Sequence, residues 1–312
     1  MNRRPLGRSE IVIEPLVLGG NVFGWTADEK QSFKILDAFL EEGFSAVDTA
    51  EGYPNWVEGN PPGMSETIIG NWMKARGNRD KVHLITKVNS AKHPGGLSHD
   101  GIKQSVEASL KRLQTDYIDI YFSHWPDPTT EIEETLSAYD MLIRAGKVRT
   151  IGASNYNRAQ MEEALETSIV KSLPRYDVVQ PLYNLYERQD FEELRPFLLE
   201  NDVGAIVYYS LAAGFLTGKY RSAEDKEGRI RGLKMDRFLN DKGFRILAAM
   251  DEVAAETGAT LAEIALAWLV AQPGVSAPIA SATSVEQVRS LAKGVRLTLS
   301  DDAVARLNAA GA

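Results

Sequence analysis

Four side chains able to hold or move a proton follow closely on short apolar runs. Asp48 and Tyr53 lie in Val47-Asp48-Thr49-Ala50-Glu51-Gly52-Tyr53, Lys87 in Ile85-Thr86-Lys87-Val88, and His124 in Phe122-Ser123-His124-Trp125-Pro126-Asp127. Together they have a chemical logic. A tyrosine with a pKa of about 10 donates its proton poorly at neutral pH unless the phenolate is stabilised. A lysine beside it lowers that pKa, and an aspartate paired with the lysine keeps the amine charged and in place. A histidine opposite can hydrogen-bond a carbonyl oxygen. An acid and a polariser together suit addition to C=O. No side chain carries a hydride, so a nicotinamide has to supply it.

Such residues must be brought to one place by the elements that carry them. Apolar or β-branched runs recur at residues 16–18, 45–47, 82–86, 117–122, 148–153, 176–180 and 204–209, with a weaker one at 277–280. Between them apolar residues advance by three or four, as in Phe33, Leu36, Phe39 and Leu40, or Ile102, Val106, Leu110 and Leu113, or Ile132, Leu136, Tyr139 and Ile143, or Met161, Leu165 and Ile169. That spacing marks one face of a helix. A helix from about Thr130 to Gly146 is expected, begun by the threonine. Strands alternating with helices predict βαβ units and a parallel sheet, and eight of them predict a (β/α)8 TIM barrel in a single domain over residues 1–312. Two pieces fall outside the repeat. Residues 4–6 and 11–13 around Gly7-Arg8-Ser9 read as an N-terminal hairpin. The long connection after the seventh strand holds a Gly/Lys/Arg-rich loop at 214–235 and two helices, near 241–257 and 261–272. In such a barrel chemistry belongs at the C-terminal strand ends, where Asp48, Lys87 and His124 all fall.

With these motifs on the page, a resemblance emerges. Asp48-Thr49-Ala50-x-x-Tyr53, Lys87, His124-Trp125-Pro126-Asp127 and Gly152-Ala153-Ser154-Asn155 resemble the aldo-keto reductases in joint spacing. Tyr209-Ser210-Leu211-x-x-Gly214-x-Leu216-Thr217-Gly218-Lys219 is similar to that family's loop after strand seven. The likeness runs from Leu6-Gly7 to the C-terminal helices, and the bacterial, potassium-channel-β-subunit-like branch stands nearest. It implies reduction of an aldehyde or ketone, with Tyr53 as general acid, Lys87 and Asp48 as its tuning pair and His124 orienting the carbonyl. It also implies that Ser154, Asn155 and Gln180 hydrogen-bond the nicotinamide carboxamide while Tyr209 stacks on the ring. Backbone amides from Ser210 through Leu211 and Gly214 to Leu216, with Gly218, Lys219 and Arg231 or Arg229, would hold the pyrophosphate. Gly20 and Asn21 would line the pocket floor, and Thr283 and Gln287 would face the adenosine end.

The cofactor implied is NADPH, with NADH left open. Thr283 stands where the family often carries a basic side chain, although Arg289 and Lys293 are near it in sequence. Ala212 and Ala280 also depart from the family's usual prolines. The stretch 54–63 is longer than the usual turn and is expected to shape the substrate pocket. The absence of Gly-x-Gly-x-x-Gly fits a barrel site better than a Rossmann domain. A second reading remains: a nucleotide-binding, redox-sensing regulatory subunit with little turnover. A third, a metal-dependent hydrolase using Asp48 and Glu51, lacks His-x-His ligands.

Plainer roles suit other residues. Trp25, Trp56 and Trp125 are expected at the pocket mouth, Trp72 and Trp268 in the core. His83, His93 and His99 are spaced too irregularly for a metal site, so none is expected. Glu66 and Ser65 read as a helix cap, Arg3-Arg4 as a solvated end and Glu162-Glu163 as a solvated helix face. Composition narrows the partners. In 312 residues, 35 Lys+Arg against 43 Asp+Glu give a net charge of −8, which counts against a nucleic-acid surface. There is no cysteine, hence no disulfide or thiolate. No run of about 18 apolar residues suggests a membrane span. A small-molecule carbonyl substrate and a cytoplasmic location are the expectation, with the oligomeric state open.

Overall fold

The computed structural model describes residues 3–88, 95–229 and 231–312, so His93 lies outside the described residues. A short antiparallel pair, β1 (Arg4–Pro5) and β2 (Val12–Ile13), precedes eight parallel strands. These are β3 (Val17–Gly19), β4 (Ala46–Asp48), β5 (His83–Val88), β6 (Ile118–Ser123), β7 (Val148–Ser154), β8 (Val178–Gln180), β9 (Gly204–Val207) and β10 (Val275–Ala280). They pair in sequence order, and β10 returns to β3 to close a barrel. Around it run α1 (Glu29–Glu41), α2 (Met64–Arg76), α3 (His99–Leu113), α4 (Ile132–Arg144), α5 (Arg158–Lys171), α6 (Gln189–Glu200), α7 (Asp241–Thr257), α8 (Leu261–Ala271), α9 (Val285–Arg296) and α10 (Asp301–Gly311). The helices α7 and α10 are additional to the eight helices of the repeat and pack on each other. This is the expected (β/α)8 barrel with its N-terminal hairpin.

Successive side chains of a strand point to opposite faces, and the core divides accordingly. Val17, Ala46, Ile85, Ile120, Phe122, Val178, Ile206 and Ala277 fill the barrel, joined by Leu6, Ile11 and Ile13 of the hairpin. Their neighbours Leu18, Val47, Leu84, Tyr121, Ile151, Val179 and Val207 pack outward with the helices. Gly152 keeps the interior open, since a Cβ there would stand 2.4 Å from the Phe122 ring. Trp72 and Trp268 are fully buried, as expected.

Several local expectations need correction. Arg4 is not a solvated end: its guanidinium donates to Val275 O at 2.7 Å and Val270 O at 2.9 Å, pinning the hairpin beneath β10. The helix α4 begins after Glu131 rather than on Thr130, whose hydroxyl donates to Asp127 Oδ2 at 2.9 Å. Glu66 caps nothing, because Gly63 is the N-cap of α2. Instead its fully buried carboxylate accepts from Thr86 Oγ1 and Arg112 Nε, each at 2.6 Å. Glu162 and Glu163 do face solvent.

Candidate active site

The alternation that fills the barrel continues one step beyond its apolar residues. Two positions past Ala46 comes Asp48, past Ile85 comes Lys87, past Phe122 comes His124, past Gly152 comes Ser154, past Val178 comes Gln180, and past Ile206 comes Tyr208. The strands thus end in a polar ring above an apolar floor, at the C-terminal mouth. Lys87 is its most enclosed member, with no solvent exposure. Its Nζ donates to both Asp48 carboxylate oxygens and to Thr49 O, each at 2.7 Å. Gln180 Nε2 adds a bond to Asp48 Oδ1 at 2.8 Å, and Ser154 Oγ donates to Gln180 O at 2.8 Å.

Tyr53 comes from the loop after β4, and the Lys87 ammonium stands 5.2 Å from its ring centre. The loop is fixed by Ser65, whose N–H donates to Tyr53 O and whose hydroxyl accepts from Thr49 Oγ1 and donates to Gly20 O. The His124 ring meets Tyr53 edge-on at 5.8 Å. Sequence spacing therefore picks out four groups that the barrel brings together.

Burial pushes the Asp48 carboxyl up and the Lys87 amine down, and each partner opposes the other's shift. Burial and then the Asp48 charge push the Tyr53 phenol well above its ordinary range. The depression expected from Lys87 is thus outweighed by burial and by the Asp48 charge. Burial, reinforced by Lys87, lowers His124 to about 3. Near neutral pH the mouth therefore presents a protonated phenol and an uncharged imidazole.

Aromatic rings surround this group. Trp56 meets Trp25 at 5.6 Å and Tyr53 at 5.7 Å, while Trp125 stacks on His124 at 6.0 Å. Asn60 Nδ2 donates to Gly24 O at 2.8 Å, tying the 54–63 stretch to the loop after β3. Trp56 and Trp125 are both partly exposed. The three expected tryptophans are thus at the mouth.

The loop after β9 flanks it. Tyr209, Ala212, Ala213 and Gly214 all have positive φ, three of them without being glycine, a strained run of the kind that gathers at binding sites. The amides of Ala212, Gly214 and Leu216 donate to Tyr209 O, Leu211 O and Leu211 O, so they are engaged inside the turn rather than pointing at a ligand as expected. Ser210 Oγ holds the loop to Ile279 O at 2.8 Å, and Gly218 ends the turn with φ 77°. Beyond it Lys219 and Arg229 both approach the Tyr220 ring, and Arg231 lies over Trp25 at 5.6 Å. No salt bridge to any of these three cations is found among the described residues. Partial burial, and after it the charges of Arg229 and Arg231, push the Lys219 amine down. A cationic cluster without a direct salt bridge suits an anion. On the other flank Asn21 Oδ1 accepts from Ser281 Oγ at 2.6 Å. Gln287 Oε1 accepts from Thr283 N and Oγ1 at the start of α9.

The family model described as Aldo/keto reductase family matches residues 15–312. The chain belongs to this family. It is similar to "Aldo-keto reductase YhdN" of Bacillus subtilis, 34% identical over 302 residues that cover 94% of this chain and 87% of that protein. "Protein tas" of Escherichia coli is 30% identical over 336 residues, covering 99% and 97%. A "Probable voltage-gated potassium channel subunit beta" of Arabidopsis thaliana is 32% identical over 306 residues, covering 95% and 91%. This aldo-keto reductase is accordingly an NAD(P)H-dependent oxidoreductase of small-molecule carbonyl compounds.

Two residues of the reductase site escaped the sequence reading. Tyr208 points into the ring, its hydroxyl donating to Asn155 Oδ1 at 2.7 Å. The parity of β9 carries that signal, since Tyr208 stands two residues past the inward Ile206. Arg237 covers Tyr209 at 5.2 Å and pairs with Glu187 at 2.8 Å. It comes from a distant loop, and no spacing announces it. Among the described residues no cluster of three or more His, Asp or Glu could hold a metal. No single helix among them is long and apolar enough to cross a membrane.

Proposed function

We propose that this reductase converts an aldehyde or ketone to its alcohol with NADPH, Tyr53 delivering the proton. The observation that carries the reading is the neutral Tyr53 phenol beside a lysine locked to a buried aspartate. A phenol held protonated is the form an acid needs before reduction, and a nearby ammonium favours the phenolate as the proton leaves. Neutral His124 can donate to the carbonyl oxygen through Nε2 without competing for the proton.

The cations Lys219, Arg229 and Arg231 fit a dinucleotide's pyrophosphate, and the half-buried Tyr209 ring fits a nicotinamide face. Ser154 and Gln180 would meet the carboxamide, joined by the remaining lone pair of Asn155 Oδ1. Bound there, the nicotinamide supplies the hydride. Gly20 and Asn21 would floor the pocket, with Thr283 and Gln287 towards the adenosine. Trp25, Trp56 and Trp125 would exclude water from the substrate side.

Loss of NADPH absorbance with a reactive aromatic aldehyde tests this, wild type beside Tyr53→Phe and each repeated with NADH. Wild type is expected to turn over and the variant to bind NADPH yet fall by roughly 10²- to 10⁴-fold. Full activity in Tyr53→Phe overturns the assignment. NADPH binding without turnover in either protein favours the regulatory reading that the channel-subunit relative brings to mind.

A further inference from the structure

The His124 imidazole lacks the anchor that commonly fixes such a ring: its Nδ1 is buried without a hydrogen-bond partner among the described residues. Ring contacts with Tyr53 and Trp125 do not fix its height in the mouth, so its position follows from its main chain. That main chain is tied on both sides. The His124 N–H donates to Val88 O at 3.2 Å, and the His124 carbonyl accepts from Asn155 Nδ2 at 2.9 Å.

Asn155 is itself tightly held, in a left-handed conformation at φ 62°. Its Nδ2 also donates to Ser154 Oγ at 3.1 Å, so both amide hydrogens are engaged. Its Oδ1 accepts from Tyr208 OH at 2.7 Å. Without that last bond the carboxamide could turn about its terminal torsion, which is broad and cheap to rotate, and release the His124 carbonyl. Tyr208 is well placed to prevent this. Its ring packs on the barrel interior and its backbone bridges Leu182.

We propose that Tyr208 is a positioning residue for reduction: its hydroxyl fixes the Asn155 carboxamide, which fixes the main chain carrying His124. Three strand ends, β6, β7 and β9, are thereby set in register at the point where the carbonyl must be held. The inference rests on the proposed reductase reading and adds to it a residue beyond Asp48, Tyr53, Lys87 and His124.

Tyr208→Phe removes the hydroxyl and keeps the ring. The expected result is a fall in kcat of about 3- to 10-fold, the weight of one neutral hydrogen bond. KM for NADPH should move less than kcat, and the melting temperature should stay unchanged, a split that general loosening of the barrel would not produce. Asn155→Ala leaves the phenol in place and should lower kcat at least as much, which keeps the test alive if Tyr208→Phe folds badly. In the Asn155→Ala background, Tyr208→Phe should add nothing, because the two act in series. An unaltered kcat in Tyr208→Phe, a milder effect from Asn155→Ala, or additive losses would overturn the inference while leaving the reductase reading intact. Wild-type protein that reduces no aldehyde would remove both.

Discussion

The floor and the mouth of the barrel are built on the same eight strands and the same two-residue alternation, yet they have opposite contents. Val17, Ala46, Ile85, Ile120, Val178 and Ile206 point inward below. One step on, Asp48, Lys87, Gln180 and Tyr208 point inward above. Backbone geometry cannot account for the difference, so it lies in side-chain chemistry alone. The floor stabilises by removing apolar surface from water, at about 25 cal/mol per Å². At the mouth two full charges are buried, and their desolvation costs about as much as their mutual attraction returns. Stability thus comes mainly from one end and reactivity from the other. A change at either end should show up in a different measurement.

Lys87→Met should have the largest effect, because it strikes the mouth where it also bears on folding. Asp48 would be left buried without its cation, a loss of about 3–5 kcal/mol, visible as a lower urea midpoint. Turnover per folded molecule should drop at least about 100-fold as well. Retained stability would mean that Asp48 takes up a proton and the mouth tolerates the change. Ile120→Ala probes the floor. A cavity there should lower stability by about 2–5 kcal/mol while NADPH-linked turnover per folded molecule stays near wild type. A comparable loss of turnover would break the separation, showing that floor packing sets the height of the groups above it.

The same contrast explains what could be read from the sequence. The barrel was legible because its strands and helices repeat a period and most helices carry an apolar stripe, although in α5 the apolar Ile169 and Val170 face solvent. Asp48, Tyr53, Lys87 and His124 were legible as residue types at strand ends. Tyr208 was hidden by its neighbour Tyr209, since two adjacent tyrosines point to different faces and only the register of β9 distinguishes them. The direction of the Tyr53 shift was also hidden, because it is decided first by burial and then by the Asp48 charge, and burial of a loop residue cannot be read from spacing. Glu66 read as a helix cap. Its burial depends on Arg112, which approaches across α2 from α3, and such a long-range pair leaves no local signature.

The smallest effect expected is a pH dependence that belongs to the mouth alone. His124 has an ordinary pKa of 6.5 and is lowered to about 3 in the folded protein by burial and by Lys87. Above pH 6.5 neither the folded nor the unfolded chain holds this proton, and the group contributes no slope. Between 6.5 and 3 the unfolded chain binds the proton and the folded chain does not, so stability falls as pH falls. Below 3 both states hold it and the slope ends. Over the first unit below 6.5 the loss approaches about 1.4 kcal/mol. Urea midpoints at pH 7 and pH 5.5 should therefore move further for wild type than for His124→Gln, whose side chain does not titrate. Ile120→Ala, although far less stable, should keep the wild-type difference between the two pH values. If His124→Gln keeps the full difference instead, the imidazole is already protonated in the folded mouth, and a neutral donor can no longer be the group that meets the carbonyl.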